Sequence, residues 1–479
     1  MATLAEKRKT VECINLETGT TNLGRSGATA GRPLLDVLAK RWSRSPTTRH
    51  APTTKREDDL KNTSTHVVAG AFGNVLEWYD FAVFGFLAPV ISSQFFPADD
   101  RFAGLIKVYG VFAAGYLMRP LGGVVFGHLG DRFGRKRALE LSILMMALPT
   151  FLVGCLPTHA QIGTSAAALL IALRLAQGVS IGGELIGSMS YIVEMAPPEK
   201  RGLYGSWTLF TAIGGILVGS IAVTLLRGVL DADALAAWGW RVPFLFGVAI
   251  AGVGIWLRLG LPESEAFEQA SEKDDSDRSP VVRAVAEAGG RIAHLSALLA
   301  LYATGFYMLF VWMPTYYTDI LHPPIPHAYL VNTVSMVLLL ALLPVSGALS
   351  DRFGRRRVLL VGMILNALLV YPLFVAVDTS QVAFALAAQL GFAVLIATIQ
   401  GPMPAYMAEM FPTRIRASAL GISYNVTLGL LGGTAPLVAT WLIESTGDLA
   451  APAFYLAFLS VVSIVALLTL RVREGGPLP

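Results

Sequence analysis

The sequence predicts an all-α membrane protein of twelve transmembrane helices arranged as two six-helix halves. Three observations carry that expectation. The chain is 54% apolar with a mean hydropathy of +0.58, more apolar surface than ordinary soluble domains bury. Charged residues make up only 15% of its 479 residues, gathered in short islands between apolar segments of membrane-spanning length. Finally, Gly-His-Leu-Gly-Asp-Arg-Phe-Gly-Arg-Lys-Arg at 127 to 137 returns as Gly-Ala-Leu-Ser-Asp-Arg-Phe-Gly-Arg-Arg-Arg at 347 to 357, an offset of 220. Glu-Met-Ala-Pro-Pro-Glu-Lys-Arg at 194 to 201 likewise returns as Glu-Met-Phe-Pro-Thr-Arg-Ile-Arg at 409 to 416. Two similar halves in tandem are the pattern of a secondary transporter.

The elements follow in order. Residues 1 to 65 are polar, hold no apolar run fit to be a signal peptide, and read as a disordered cytoplasmic tail with 12 Lys and Arg against 7 Asp and Glu. Apolar runs then place helices at about 67–91, 102–126, 138–157, 165–193, 203–226 and 241–257, forming a half over 66–257. A hydrophilic cytoplasmic linker spans 258–292 and carries Glu263, Glu265, Glu268, Glu272, Asp274, Asp275 and Asp277. The second half, 293–471, repeats the series at 293–318, 329–349, 358–377, 382–408, 417–442 and 454–470, and 472–479 is a short cytoplasmic tail. Transmembrane strands are excluded, since they are about 10 residues long with strict alternation.

With both termini cytoplasmic, the cytoplasmic segments hold 31 of the 37 Lys and Arg, and the outer loops hold only Arg101 and Arg227. That asymmetry sets the orientation, so the pI of 9.0 reflects topology rather than a nucleic-acid partner. Cys13 lies in the tail and Cys155 in a span, which implies no disulfide framework. Gly178-Val179-Ser180-Ile181-Gly182 matches a hydrolase elbow but sits inside an apolar helix without a preceding strand. No nucleotide loop and no metal-spaced histidine cluster appears. The chain is therefore expected not to be an enzyme, and to need no cofactor beyond a proton gradient.

Ionisable groups inside a bilayer are costly, so those that persist face a cavity or pair with one another. Helix 1 carries Glu77 and Asp80. Glu77 lies about 15 Å from the cytoplasmic end, and a spacing of three puts both carboxylates on one face. Two carboxylates in one low-dielectric cavity do not both ionise easily, so the pair is suited to load and release a proton. Arg119 on helix 2 and Arg174 on helix 4 supply the opposite charges, and Glu184 on helix 4 adds a third acid. Both arginines keep their protons and need a carboxylate, from the protein or from a substrate. Arg119 is the stronger ligand candidate; Lys107, near the outer end of helix 2, is expected to snorkel. The second half offers Tyr307 and Trp312, Asn332, Gln400 and Asn425, neutral groups suited to orienting a small solute.

Glycines four apart, at 123/127, 178/182, 183/187, 215/219 and 429/433, let helices approach closely. The repeated loop has a mechanical reading. Gly130 and Gly134 allow a tight turn, Asp131 can meet the positive end of a helix or a neighbouring arginine, and Arg132, Arg135, Lys136 and Arg137 keep the loop in the cytoplasm. Asp351, Arg352 and Arg355 repeat the arrangement, and Glu194, Arg201, Glu409 and Arg416 form the second repeated set. These groups are expected to latch the halves together on the cytoplasmic side.

The repeated loops resemble the signature loop of the major facilitator superfamily, and Arg174-Leu-Ala-Gln177-Gly178 resembles its helix 4 motif. More narrowly, Gly73-Asn74-Val-Leu-Glu77-Trp78-Tyr79-Asp80-Phe81, Arg119-Pro120-Leu-Gly122-Gly123, Gly182-Gly183-Glu184 and Trp238-Gly239-Trp240-Arg241-Val-Pro243-Phe244 resemble the metabolite:proton symporter family. That resemblance implies the major facilitator fold and proton symport of carboxylate-bearing solutes. Two departures turn the expectation toward a small organic acid, a di- or tricarboxylate or aromatic acid: the chain ends at Pro479, without the C-terminal coiled coil of the osmosensing proline/betaine branch, and Lys107 maps to no family position. The expected function is proton-coupled uptake across the inner membrane by alternating access, as a multi-pass monomer whose partners are the substrate, the proton and the bilayer. Uptake of proline- or betaine-type zwitterions is the alternative; a transporter-like sensor or an exporter ranks behind both.

Overall fold

Long apolar runs leave helices as the only way to satisfy the backbone in hydrocarbon, and the computed structural model is helical accordingly. It describes residues 75, 77–97, 100–123, 125, 135–180, 184–259, 280–377 and 381–470, all within the compact unit Lys61–Pro479. In the first half, α1 runs through 77–95 and ends with the segment Ala88–Phe95; α2 is Arg101–Leu117, continued over 119–123. α3 is Arg135–Cys155, α4 comprises Thr164–Ser180 and Glu184–Met195, α5 is Arg201–Val229 and α6 is Arg241–Leu259. In the second half, α7 is Pro280–Phe306 extended to Ile320, α8 is Ala328–Phe353, α9 is Arg355–Val377 and α10 is Val382–Gln400 with Met403–Ala408. α11 comprises Thr413–Thr427, Leu428–Gly432 and Ala435–Thr446, and α12 is Ala451–Thr469.

Among the described residues, α4, α5 and α7 to α12 are long and apolar enough to cross a membrane, and α1, α2, α3 and α6 complete the twelve. Local chemistry sets several boundaries. Asp100 starts α2 by accepting from the N–H groups of Phe102 at 3.3 Å and Ala103 at 3.0 Å, an N-cap. Gly354 alone separates α8 from α9 at φ +93°, a conformation costly for any residue with a Cβ. That is the tight turn expected of the repeated loop. In the first copy, Asp131 and Arg132 lie outside the described residues, and Arg135 opens α3 with a side chain that also lies outside them. The tail at 1–65, linker residues 260–279 and the last residues, 471–479, lie outside as well. α7 starts at Pro280, so helix occupies the final part of the segment read as linker.

α3 packs on α6 and α4 on α2 in the first half; α7 packs on α11, and α9 on α10 and α12, in the second. The halves meet where α5 runs along α8 and where α2 runs along α11. α9 and α12 turn Val361, Leu365, Leu368, Phe454, Phe458, Val461 and Val465 outward, an apolar face that suits lipid and not water. Buried polar and charged groups instead collect on the inner helices, α4, α5, α8 and α11 foremost.

Four stretches among the described residues are π-helical turns: Leu235–Gly239 ahead of α6, Tyr307–Trp312 and Tyr316–Ile320 in α7, and Leu428–Gly432 in α11. Such turns recur at functional sites. They also leave carbonyl groups in need of donors. Gln389 of α10 gives its amide to the Leu309 carbonyl at 2.6 Å, and Asn332 of α8 gives its own to that of Phe310 at 3.1 Å.

Candidate functional site

α1 is the origin of the site, because four of its neighbours, α2, α4, α6 and, through Tyr329 to the Phe86 carbonyl, α8, hold it through polar groups. Arg119 of α2 donates to Glu77 Oε1 at 2.5 Å, with the guanidinium 1% and the carboxylate 12% exposed. Arg174 of α4 donates to Asp80 Oδ2 at 2.7 Å, and both side chains are fully buried. Arg174 also donates to Gln177 Oε1 at 2.8 Å, and Gln177 passes the chain on to Thr150 of α3 at 2.8 Å. The Tyr79 hydroxyl reaches the Pro243 carbonyl of α6 at 2.8 Å. Four members of the expected cluster, Glu77, Asp80, Arg119 and Arg174, therefore meet in pairs, with one correction. Glu77 and Asp80 do not share a site with each other; each has its own guanidinium.

Phe81 stands between the two pairs. Its ring centroid is 5.7 Å from the Arg119 guanidinium carbon and 4.6 Å from that of Arg174. Arg119 also lies 4.6 Å from the Tyr116 ring and 5.5 Å from that of Trp78. Phe84 covers Arg174 at 4.1 Å. Aromatic faces carry negative charge density, so both cations keep favourable surroundings beyond their single carboxylates.

Beside the Arg119 pair lies a small cavity between the halves. Trp78 of α1 and Leu209, Ala212 and Ile213 of α5 form the wall on one side; Tyr302, Phe306 and Tyr307 of α7, Gln400 of α10, and Tyr424 and Leu428 of α11 form the other. The free space within it is about 20 Å³, room for little more than one water molecule. The Trp78 and Tyr307 rings are nearly parallel with centroids 6.3 Å apart, and Tyr302 meets Tyr424 edge-on at 6.1 Å. Tyr307 and Leu428 both begin π turns. The Tyr116 hydroxyl donates to that of Tyr307 at 2.6 Å, joining the halves above Arg119. Gly433 of α11 permits this, since a Cβ there would run into the Tyr116 side chain.

Of the residues expected to touch substrate, Tyr307 and Gln400 line the cavity. Arg119 reaches it only behind Trp78, and Arg174 is held away from it by Asp80. Asn425 is buried but is not part of the wall. Glu184 opens the second segment of α4, and its side chain lies outside the described residues. Trp312 donates to Thr440 at 2.9 Å, and Asn332 joins Gln389 at 3.1 Å; both tie helices together within the second half. Sequence reasoning did not single out Tyr302, Phe306 and Tyr424 as site residues. The four-residue spacing of Tyr302 and Phe306 on one face of an apolar helix was the available signal.

At the bundle end bearing the repeated loops, charges join the halves. Asp351 of α8 accepts the N–H groups of Gly202 at 2.7 Å and Leu203 at 2.8 Å, at the start of α5. Arg355 contacts Asp351 at 3.3 Å and Glu409 at 3.2 Å, and Arg201 reaches Glu409 at 3.5 Å. Arg416 of α11 pairs with Glu194 of α4. Arg352 is exposed beside Phe353. α5 and α8 cross tightly beneath this network: a Cβ on Gly202 would lie 2.5 Å from the Gly347 carbonyl oxygen, and the reverse holds at the same distance.

Residues 66–293 match the family model described as Sugar (and other) transporter, and residues 295–478 match that of the Major Facilitator Superfamily. The proline/betaine transporter of Salmonella typhimurium is 36% identical over 421 residues, spanning 86% of this chain and 84% of that one. The glycine betaine/proline/ectoine/pipecolic acid transporter OusA of Dickeya dadantii is 36% identical with the same coverage. Among solved structures, the partially occluded inward-open xylose transporter XylE from E. coli aligns with a TM-score of 0.65 at 18% identity, covering 84% of this chain and 96% of that one. The last is a likeness of fold alone. With twelve helices in two halves, repeated charged loops and a buried polar site between them, this multi-pass membrane transporter belongs to the major facilitator superfamily.

Proposed function

We propose that the chain is a proton-coupled symporter of the inner membrane, both termini cytoplasmic, that takes up a small zwitterion of the proline/betaine type by alternating access. One observation carries the choice of substrate: an aromatic-walled cavity adjoins the buried Arg119–Glu77 pair. Tyr and Trp faces attract ammonium groups, while Arg119 is suited to a carboxylate. The cavity thus offers both poles of a zwitterion a partner. A tricarboxylate would bring charges that these rings do not favour. The Salmonella and Dickeya relatives, named as proline/betaine and glycine betaine/proline transporters, support the same choice; it replaces the organic acid expected from the sequence.

Coupling follows from the ion pair. A proton on Glu77 removes the charge that Arg119 needs, and an unpaired buried cation costs about 3–5 kcal/mol. A substrate carboxylate relieves that cost by taking the place of Glu77 on Arg119. Each ligand therefore raises the affinity for the other, by linkage. The halves then rock about the cavity. The Tyr116–Tyr307 contact parts when the site opens outward, and the Asp351–Arg355–Glu409–Arg201 network, on the side assigned as cytoplasmic, parts when it opens inward.

The test is uptake into proteoliposomes under an inward proton gradient. Labelled proline and glycine betaine should accumulate above equilibrium, and collapse of the gradient should abolish that accumulation. Accumulation of citrate or 2-oxoglutarate without either zwitterion would sink this reading. Binding without counterflow would indicate a sensor.

A further inference from the structure

The cavity wall carries two buried polar atoms without a hydrogen-bond partner among the described residues: Trp78 Nε1 and Gln400 Oε1, on side chains 5% and 4% exposed. The first is a donor only, the second an acceptor. The Tyr307 hydroxyl, by contrast, is engaged with Tyr116. An unmet acceptor in a nearly dry aromatic wall is costly, and a ligand that supplies an N–H removes the cost.

We propose that Gln400 is a specificity-determining residue that selects zwitterions whose ammonium still carries an N–H, the secondary-amine imino acids, over fully methylated ones. The inference rests on the zwitterion reading above. The aromatic rings serve either kind of cation, because the attraction to a ring face needs charge and not a proton. The Gln400 oxygen separates them. A secondary ammonium donates to it, whereas a quaternary ammonium presses methyl groups against it and leaves it unsatisfied. Sites built to accept a particular hydrogen bond reject the analogue that lacks it more strongly than apolar pockets reject a size change. The Trp78 N–H meets the carboxylate that both kinds of ligand share, so it does not discriminate.

Two ligands isolate the effect: proline and N,N-dimethylproline, which have the same ring and carboxylate and differ in the N–H groups. Competition against labelled proline counterflow in proteoliposomes should find the unaltered protein binding proline about ten-fold or more tightly than its dimethyl derivative. In Gln400→Met, which keeps the length of the side chain and removes the acceptor, that ratio should fall toward one. The change should come from weaker proline binding, with dimethylproline little altered, and retained dimethylproline binding reports a folded cavity. Equal binding by the unaltered protein overturns the proposal. So does an unchanged ratio in Gln400→Met, or loss of both ligands by a variant that still reaches the membrane, since Gln400 would then serve the shared carboxylate or the packing. If Gln400→Met fails to insert, Gln400→Leu is read by the same criteria. Failure of the unaltered protein to bind either compound marks a different fault, in the zwitterion assignment itself, and the proposal falls with it.

Discussion

The Asp351 carboxylate of the second half accepts the backbone N–H of Gly202 in the first, at 2.7 Å, and the neighbouring N–H of Leu203 at 2.8 Å. A negative group at a helix amino terminus satisfies orphan donors and meets the positive end of the helix dipole. Here the cap lies on one half and the helix on the other. Asp351→Ala should therefore weaken the closed arrangement at that end by about 0.5–2 kcal/mol. Uptake should slow several-fold at saturating substrate with little change in apparent affinity, while a cysteine placed near Gly202 should label faster. A rise in apparent KM at unchanged maximal rate would show that Asp351 acts on binding instead.

Glu77→Gln retains a side chain that hydrogen-bonds Arg119 and removes the titratable charge. The expected outcome is a carrier that still exchanges substrate across the membrane but no longer accumulates it against a gradient. Proton-driven accumulation and counterflow, measured side by side, separate the two. Undiminished accumulation by Glu77→Gln would move the coupling site elsewhere.

Asp80 should behave differently from Glu77, although only three residues separate them. Its pair with Arg174 is fully buried and braced through Gln177 to Thr150. Asp80→Asn leaves a buried guanidinium without its countercharge, at a cost of about 3–5 kcal/mol. Thermal unfolding in detergent should shift down markedly, and Asp80→Asn combined with Arg174→Gln should recover part of that shift. No recovery in the double variant would argue against pairing as the source.

Gln389→Leu tests the support of the π turn beneath Tyr307. Gln389 accepts from the Tyr317 hydroxyl at 2.7 Å and donates to the Leu309 carbonyl at 2.6 Å. Stranding these groups should cost about 1–3 kcal/mol. Substrate affinity should fall together with stability, because Tyr307 starts that turn and lines the cavity; a fall in stability alone would confine Gln389 to packing.

Gly433→Ala should impair uptake, since its Cβ would press into Tyr116 at the seam of α2 and α11. Gly214→Ala is the matched control, as a Cβ there meets no atom within 4 Å. Equal uptake by both variants would mean that the seam gives way easily.

The legible part of this molecule was local. Hydropathy, Pro and Gly punctuation and the repeated loops each reside in a continuous stretch, so spans and duplication could be read directly, and the Gly354 turn followed from its own motif. Gly433 stands in the sequence as one of a spaced glycine pair, but its neighbour Tyr116 on α2 is not encoded in α11. Likewise, the spacing of Glu77 and Asp80 puts two acids on one face, and only the approach of α2 and α4 gives each a separate arginine.

By itself, then, the sequence determined the twelve-helix membrane architecture, its two halves and the buried ionisable residues, because burial in a bilayer imposes length and polarity on each segment separately. The tertiary structure alone decided which charges meet and which side chains enclose the cavity. Trp78, Tyr307, Gln400 and Tyr424 come from four helices and hundreds of residues of chain, and no periodicity within any one helix encodes the rotation of its neighbours. Side-chain packing between helices sets those rotations.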